Sequence, residues 1–176
     1  EILTLSTYPL VTHSRTAEAM RGGRVYLGIL ISTSVAFLLL AIVWTWNLTG
    51  TLEFVPGGIL QGQSDFVVVA LLALYAFGTG KAALMPFHRW LPSAMVAPTP
   101  VSALLHAVAV VKAGVFTIVK IIVYIFGLDL LQDTSGSVWL MYVAGGTIVI
   151  ASLVAMTKDN LKARLAYSTI SQLSYI

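Results

Sequence analysis

Long apolar runs separated by short polar segments occupy most of this chain. Residues 25–46 carry no charged side chain over 22 positions, and a helix of that length crosses a hydrocarbon layer of about 30 Å. Further apolar runs cover residues 66–84, 99–127 and 137–157. The pattern predicts an all-α polytopic membrane protein.

The two ends of the chain carry partial versions of the same pattern. Residues 1–12 resemble the end of one apolar helix, and residues 163–176 resemble the beginning of another. The first residue is Glu1 rather than methionine, and the last lies inside a helical pattern. We therefore expect an excerpt of a longer protein.

The segment 65–98 is too long for one straight crossing, because its 34 residues would extend to about 50 Å as a helix. Gly78, Gly80 and Pro86 lie where a break is expected, which predicts a half-helix over 65–78 followed by an amphipathic piece. Non-helical backbone at this depth has to be buried in protein or line a cavity. Broken helices of this kind mark ion sites in transporters.

Basic residues in the short loops predict the orientation of the chain. They concentrate in loops 13–24, 86–98 and 158–164, whereas 47–65 and 127–137 contain no Lys or Arg. By the positive-inside rule, the three basic loops face the cytoplasm. The expected location is the plasma or inner membrane of a cell, with multiple crossings.

Composition excludes several functional classes. Apolar residues make up 58% of the chain and charged residues 10%, with no cysteine and three histidines that form no HxxxH pair. Thiolate metal sites, iron–sulfur clusters and disulfides are excluded, and we expect no metal, no cofactor and no catalytic residues. The apolar composition predicts the lipid bilayer as a partner and leaves no room for a nucleic-acid surface.

Three lysines lie within the predicted spans. Lys81 lies about 24 Å along its segment from Asp65, and Lys112 about 18 Å from Pro100. A lysine at such depth costs on the order of 3 kcal/mol, so we interpret Lys81 and Lys112 as functional groups that face a polar cavity. Desolvation and neighbouring charges tune lysines for proton transfer near neutral pH. Lys120 is closer to its helix end, where snorkelling or a structural pair is the simpler interpretation.

Other polar groups are weaker candidates. Glu1 and Asp159 are the two acids that could act within the membrane. Composition alone favours the interpretation of Glu1 as an ordinary chain terminus. His88 lies on the polar strip of the short piece, and His106 lies in an apolar helix, where it is either a core residue or a proton relay. The hydroxyls of Thr79, Ser102, Thr117 and Tyr124 could support water chains or simply pack helices.

Two long motifs resemble a known family. Residues 81–116, KAALMPFHRWLPSAMVAPTPVSALLHAVAVVKAGVF, resemble the central motif of antiporter-like subunits of respiratory complex I, membrane-bound hydrogenases and Mrp-type cation/proton antiporters. Residues 159–176, DNLKARLAYSTISQLSYI, resemble the start of the family's second repeat. The beginning, EILTLSTYPLVTH followed by AEAMRGGRVYLGIL, is most similar to the D-type subunit of the Mrp antiporters.

The resemblance implies a fourteen-helix fold with inverted five-helix repeats and a broken helix near Lys81. Residues 1–128 would then run from the end of helix five through helix eight, and 129–176 would begin the second repeat. It implies roles in proton translocation for Glu1, Lys81, Lys112 and His106, with secondary positions at His88, Lys120, Asp159 and Lys162. Glu1 thereby becomes the acidic partner of Lys81.

The function that the resemblance implies is proton translocation in a multisubunit Na⁺/proton antiporter, with other membrane subunits, protons and Na⁺ as the implied partners. Such a chain would be a transporter subunit that has translocase activity only if it belongs to a redox complex. Two alternatives stay open at this point. The chain could belong to a redox-driven pump, such as a complex I-like quinone oxidoreductase or a membrane-bound hydrogenase. It could also be a passive structural subunit whose buried charges only organise helix packing.

Overall fold

A computed structural model describes residues 1–105, 110–133 and 137–176, and the described secondary structure is helical. We number the helices in chain order, treating Ala17–Thr49 as one continuous helix. They are α1 Ile2–Val11, α2 Ala17–Thr49, α3 Asp65–Gly78, α4 Trp90–Ala94, α5 Thr99–Ala103, α6 Val110–Ile121, α7 Leu128–Asp133, α8 Val138–Met156 and α9 Leu161–Leu173. Helices α2 and α8 are long and apolar enough to span a membrane. This agrees with the predicted spans at 25–46 and 137–157.

Helix α2 begins eight residues before the apolar run that predicts it. The Thr16 side chain accepts a hydrogen bond from the Ala19 backbone N–H at 3.1 Å, which caps the helix in the preceding polar loop. A π-helical turn at Ser34–Leu38 interrupts the regular α-helix in the middle of the span. Turns of this type are frequent at functional sites.

The predicted break after residue 78 is present. Helix α3 ends at Gly78, and a 3-10 turn at Gly80–Ala82 follows in place of further α-helix. The chain then forms a second 3-10 turn at Phe87–Arg89 and the short helix α4. The apolar run 66–84 therefore contains a half-helix and an irregular segment. The glycines at 78 and 80 also let a neighbouring helix approach the break closely.

That neighbour is α2 at its π-helical turn. A Cβ added at Gly78 would lie 2.5 Å from the Leu38 nitrogen, and one added at Gly80 would collide with the Thr33 hydroxyl. Gly78 therefore packs backbone against backbone on the π-helical turn, and Gly80 packs on the Thr33 side chain just before that turn, at distances that leave no room for a Cβ.

We predict that Gly78→Ala disrupts this contact. The added methyl group has no free space and should destabilise the protein by about 1–3 kcal/mol, as overpacking does in other cores. The measurement is the thermal midpoint and yield of the full-length complex. Gly145→Ala in α8 is the matched control, because nothing lies within 4 Å of its added Cβ. Equal midpoints for the two variants would contradict the proposed close packing.

The three basic loops meet at one end of the structure, which we call the basic end. Lys162 Nζ donates a hydrogen bond to the Ala97 carbonyl at 2.9 Å. A Cβ added at Gly22 would lie 2.5 Å from the Ser93 carbonyl oxygen. The segments that contain these four residues are the same three in which basic side chains concentrate.

Two apolar clusters enclose the break from opposite ends. The cluster nearer the basic end is built around Tyr26, Leu30, Trp90, Leu105 and Ile170. The other is built around Leu60, Leu71, Tyr75, Ile125 and Phe126. Ala83 of the irregular segment belongs to the first cluster, and Tyr75 in the last turn of α3 belongs to the second.

Candidate functional site

The site is built on the 3-10 turn that follows α3. Thr79 donates both its backbone N–H, at 3.0 Å, and its hydroxyl hydrogen, at 2.9 Å, to the Tyr75 carbonyl, and these two bonds close the last turn of the helix. Lys81 lies in the middle of the turn, and fully buried Ala83 follows in a left-handed conformation with φ 57°. The lysine is thus presented by irregular backbone rather than by a helix face.

Glu1 and Lys81 form an ion pair at this turn. Lys81 Nζ lies 3.1 Å from Glu1 Oε1, and the two side chains are 17% and 30% exposed, respectively. It is the only ion pair between the residues that the structure describes. The structure therefore joins these two residues, which lie 80 positions apart in the sequence.

A chain of contacts links the turn back to the helix that follows Glu1. Fully buried Trp90 donates its indole N–H to the Gly80 carbonyl at 2.8 Å. The Trp90 ring packs on Tyr26, with centroids 5.6 Å apart. The Tyr26 hydroxyl shares a 2.6 Å hydrogen bond with the hydroxyl of Thr7 in α1. These contacts hold the Lys81 turn and α1 in one relative position.

Sequence reasoning missed Trp90, Tyr26 and Thr7. The available signal was a tryptophan in the segment after the break, because a buried indole N–H needs a hydrogen-bond acceptor. The hydroxyls singled out from the sequence have local partners. Those of Thr79, Ser102 and Thr117 donate to backbone carbonyls within five residues of their own positions.

Replacing Trp90 by Phe should loosen the turn. The variant loses the hydrogen bond to Gly80, although that carbonyl keeps a bond from the Ala83 N–H at 3.0 Å. We expect a loss of about 1 kcal/mol from the hydrogen bond, in addition to the cost of the smaller ring, and a lower thermal midpoint of the intact complex.

Trp139→Phe is the matched control for this variant. The buried Trp139 indole nitrogen has no hydrogen-bond partner among the described residues, so the same substitution removes no hydrogen bond there. A Trp90→Phe midpoint at or above that of Trp139→Phe would show that the bond to Gly80 does not stabilise the turn.

Lys112 lies in the first described turn of α6, and its side chain is exposed on the surface of this segment. Helix α6 packs against the site through Gly114, where an added Cβ would lie 2.6 Å from the Lys81 carbonyl carbon. No hydrogen bond or ion pair joins Lys112 to the described residues. His106, the predicted relay between the two lysines, lies outside the described residues.

The secondary positions do not gather around the Glu1–Lys81 pair. Lys120 lies over the Phe54 ring, 3.9 Å from its centroid, which is a structural cation–π pair. His88 packs against Tyr167 with ring centroids 6.1 Å apart. Lys162 caps the Ala97 carbonyl as described above, and Asp159 is exposed in the turn before α9.

The described residues contain no group of three or more His, Cys, Asp or Glu side chains that could hold a metal ion. A cavity of about 310 Å³ adjoins the break at Ala82 and Leu84, and mostly apolar side chains line it. Glu1 and Lys81 are the charged groups that form an ion pair at the break.

Comparison with known proteins identifies the family. Residues 1–176 match the family described as NADH:quinone oxidoreductase/Mrp antiporter, TM. The chain belongs to this family. Its family membership and its two long apolar helices make it part of a membrane protein, as the apolar pattern predicts.

Relatives of the chain come from both branches of the family. It is 35% identical over 147 residues to the chloroplastic NAD(P)H-quinone oxidoreductase subunit 5 of Phaseolus vulgaris, covering 79% of this chain and 19% of the relative. Identity is 34% to NAD(P)H-quinone oxidoreductase chain 5 of Synechocystis sp., with 79% and 21% covered. A solved structure, the Mrp complex from Dietzia sp., matches with a TM-score of 0.82 and 32% identity, covering 98% of this chain and 19% of that chain.

The chain thus spans about a fifth of the length of the relatives it matches. The expected antiporter-like family is confirmed, and so is its helical fold. The fourteen-helix arrangement with two inverted repeats stays a prediction, because the chain spans only about a fifth of its relatives. The curated relatives named above are subunit 5 proteins, and they give no support to the narrower expectation of an Mrp D-type subunit.

Proposed function

We propose that this chain forms part of a proton-translocating membrane subunit in which Glu1, Lys81 and Lys112 lie on the proton path. The observation that carries the proposal is the 3.1 Å ion pair between Glu1 and Lys81 at a helix break. A charged pair at membrane depth is costly, and a purely structural contact could be made by apolar side chains at no such cost.

The pair would work as a switch. In the closed position, the Glu1 carboxylate holds the Lys81 side chain by an ion pair of 3.1 Å, because opposite charges at this distance attract each other in a partly desolvated site. Separation of the two side chains removes that attraction, and the lysine can then pass its proton to water or to the next group. Lys112 is the next lysine on the path, and we propose His106 as the relay between them.

The coupled process is proposed to be exchange of protons for Na⁺ in an Mrp-type antiporter. The fold similarity to the Mrp complex from Dietzia sp. at 32% identity supports this proposal. The narrower assignment to the D-type subunit rests on sequence resemblance, at the beginning of the chain and in the VVKAGVF motif that contains Lys112. A redox-driven pump is the second candidate, and the names of the quinone oxidoreductase relatives favour it.

The placement of the chain in the whole protein is also proposed. Residues 1–128 would complete the first five-helix repeat, and 129–176 would begin the second. The basic end would face the cytoplasm, because the three loops that carry Lys or Arg share one end of the structure. Glu1 would then lie deep in the membrane, since α1 runs from it to loop 13–24.

Proton movement in everted membrane vesicles that contain the full-length complex separates the two coupling candidates. An antiporter collapses a preformed pH gradient when Na⁺ is added without any electron donor, and K⁺ tests its ion selectivity. A redox-driven pump moves protons only when an electron donor and a quinone are supplied, and it ignores added cations. Proton movement under neither condition would contradict both candidates.

A further inference from the structure

A slot at the basic end combines positive charge with an apolar floor. It has a volume of about 330 Å³ and is lined by Arg24, Val25, Gly28 and Ile29 of α2 and by Arg89 from the turn before α4. Both arginine side chains are exposed. The slot is separate from the Glu1–Lys81 pair, since neither of those residues lines it.

The slot crosses the boundary between polar and apolar surface along α2. Arg24 is the last charged residue before the uncharged run 25–46, so its guanidinium belongs at the membrane interface. One turn further into the run, Gly28 leaves the groove open, because no atom lies within 4 Å of a Cβ added there. Val25 and Ile29 flank this opening with branched apolar side chains.

The positive charge in the slot has no protein counterion among the described residues. The single ion pair that they form is the one between Glu1 and Lys81. The Arg24 Nε atom donates to the Met20 carbonyl at 3.4 Å, which leaves both terminal nitrogens of its guanidinium for another acceptor. The nearby carboxylate of Glu18 lines a different pocket, together with Lys162. Two guanidinium groups beside one slot repel each other unless an anion binds between them.

We propose that this slot binds an anionic phospholipid from the cytoplasmic leaflet. The lipid phosphate would accept hydrogen bonds from Arg24 and Arg89, since guanidinium groups match phosphate oxygens in charge and geometry. One acyl chain would lie over Gly28, between Val25 and Ile29. Basic pockets between helices at the cytoplasmic face bind anionic headgroups in this way. The apolar floor favours a lipid over a soluble phosphate, because a lipid can bury an acyl chain on it and a soluble phosphate has no apolar part.

Lipid titration of the delipidated full-length complex tests the proposal. Phosphatidylglycerol is added in detergent, and the rise in thermal midpoint gives an apparent affinity. The variant with Arg24→Gln and Arg89→Gln should bind about 25-fold more weakly, because each basic residue contributes about a factor of five. The matched control changes Arg15 and Arg21 to Gln, which removes the same charge outside the slot, and should keep the original affinity.

Gly28→Leu provides a second test without any change of charge. The leucine side chain fills the slot and should also weaken phosphatidylglycerol binding, by about tenfold, while leaving both arginines in place. Phosphatidylcholine and inorganic phosphate should stabilise the complex far less than phosphatidylglycerol. Unchanged lipid affinity in both slot variants would overturn the proposal. Equal stabilisation by inorganic phosphate, or loss of a neighbouring subunit instead of lipid, would also overturn it.

Discussion

Lys112→Ala is expected to abolish proton transport while the complex still assembles. The substitution removes the titratable group but keeps a helix-forming residue in α6. The described residues make no hydrogen bond or ion pair with Lys112 that the variant would break. We expect the rate of cation-dependent pH collapse in everted vesicles to fall by about a hundredfold or more, as is common when a group used directly in proton transfer is removed.

The control for Lys112→Ala is Lys158→Ala. Lys158 is exposed in the turn between α8 and α9, so the same substitution removes a basic loop residue and should leave transport close to that of the unmodified protein. Subunit content measured by native electrophoresis must be equal in both variants. Full transport by assembled Lys112→Ala would remove this lysine from the proposed path.

Glu1→Gln should produce the second largest loss of proton transport rate. Glutamine keeps the size of the side chain and its capacity to accept a hydrogen bond from Lys81, but the negative charge is gone. The proposed switch depends on that charge, so the rate should fall by about tenfold or more, which corresponds to about 1.4 kcal/mol in barrier height. The initial rate of Na⁺-dependent proton movement measures this effect.

Glu18→Gln is the matched control, since Glu18 lies in the first turn of α2 and outside the ion pair. We expect it to transport at the rate of the unmodified protein. If Glu1→Gln matched that rate as well, the carboxylate would have no part in proton movement, and the ion pair would be a packing feature.

Local chain chemistry made the break predictable. Gly78, Gly80 and Pro86 each disfavour continuous α-helix, and the segment exceeds the thickness of a bilayer, so both length and residue type indicated an interruption. The observed end of α3 at Gly78 is the predicted one. The spans at 25–46 and 137–157 were equally predictable, because an uncharged apolar helix of that length is stable in the bilayer and in few other environments.

Contacts between segments that are distant in the sequence were harder to predict. Composition favoured an ordinary terminus for Glu1, and only the family resemblance suggested its partnership with Lys81. The two residues are 80 positions apart, and the residue type of a charged side chain does not indicate which distant residue it contacts. The cation–π contact of Lys120 depends on Phe54, which lies in a loop without helical periodicity. The Trp90 bond to Gly80 arises because the chain folds back on itself after the break, and that geometry is a tertiary property.

The most direct test of the central claim is the transport rate of Lys81→Arg in the assembled full-length complex. Arginine keeps the positive charge and can pair with Glu1, so a structural role would be preserved, but its guanidinium is not deprotonated in proteins. We predict normal assembly and loss of Na⁺-dependent proton movement. Normal assembly with transport at the rate of the unmodified protein would contradict a proton-carrying role for Lys81 and would favour a passive structural pair.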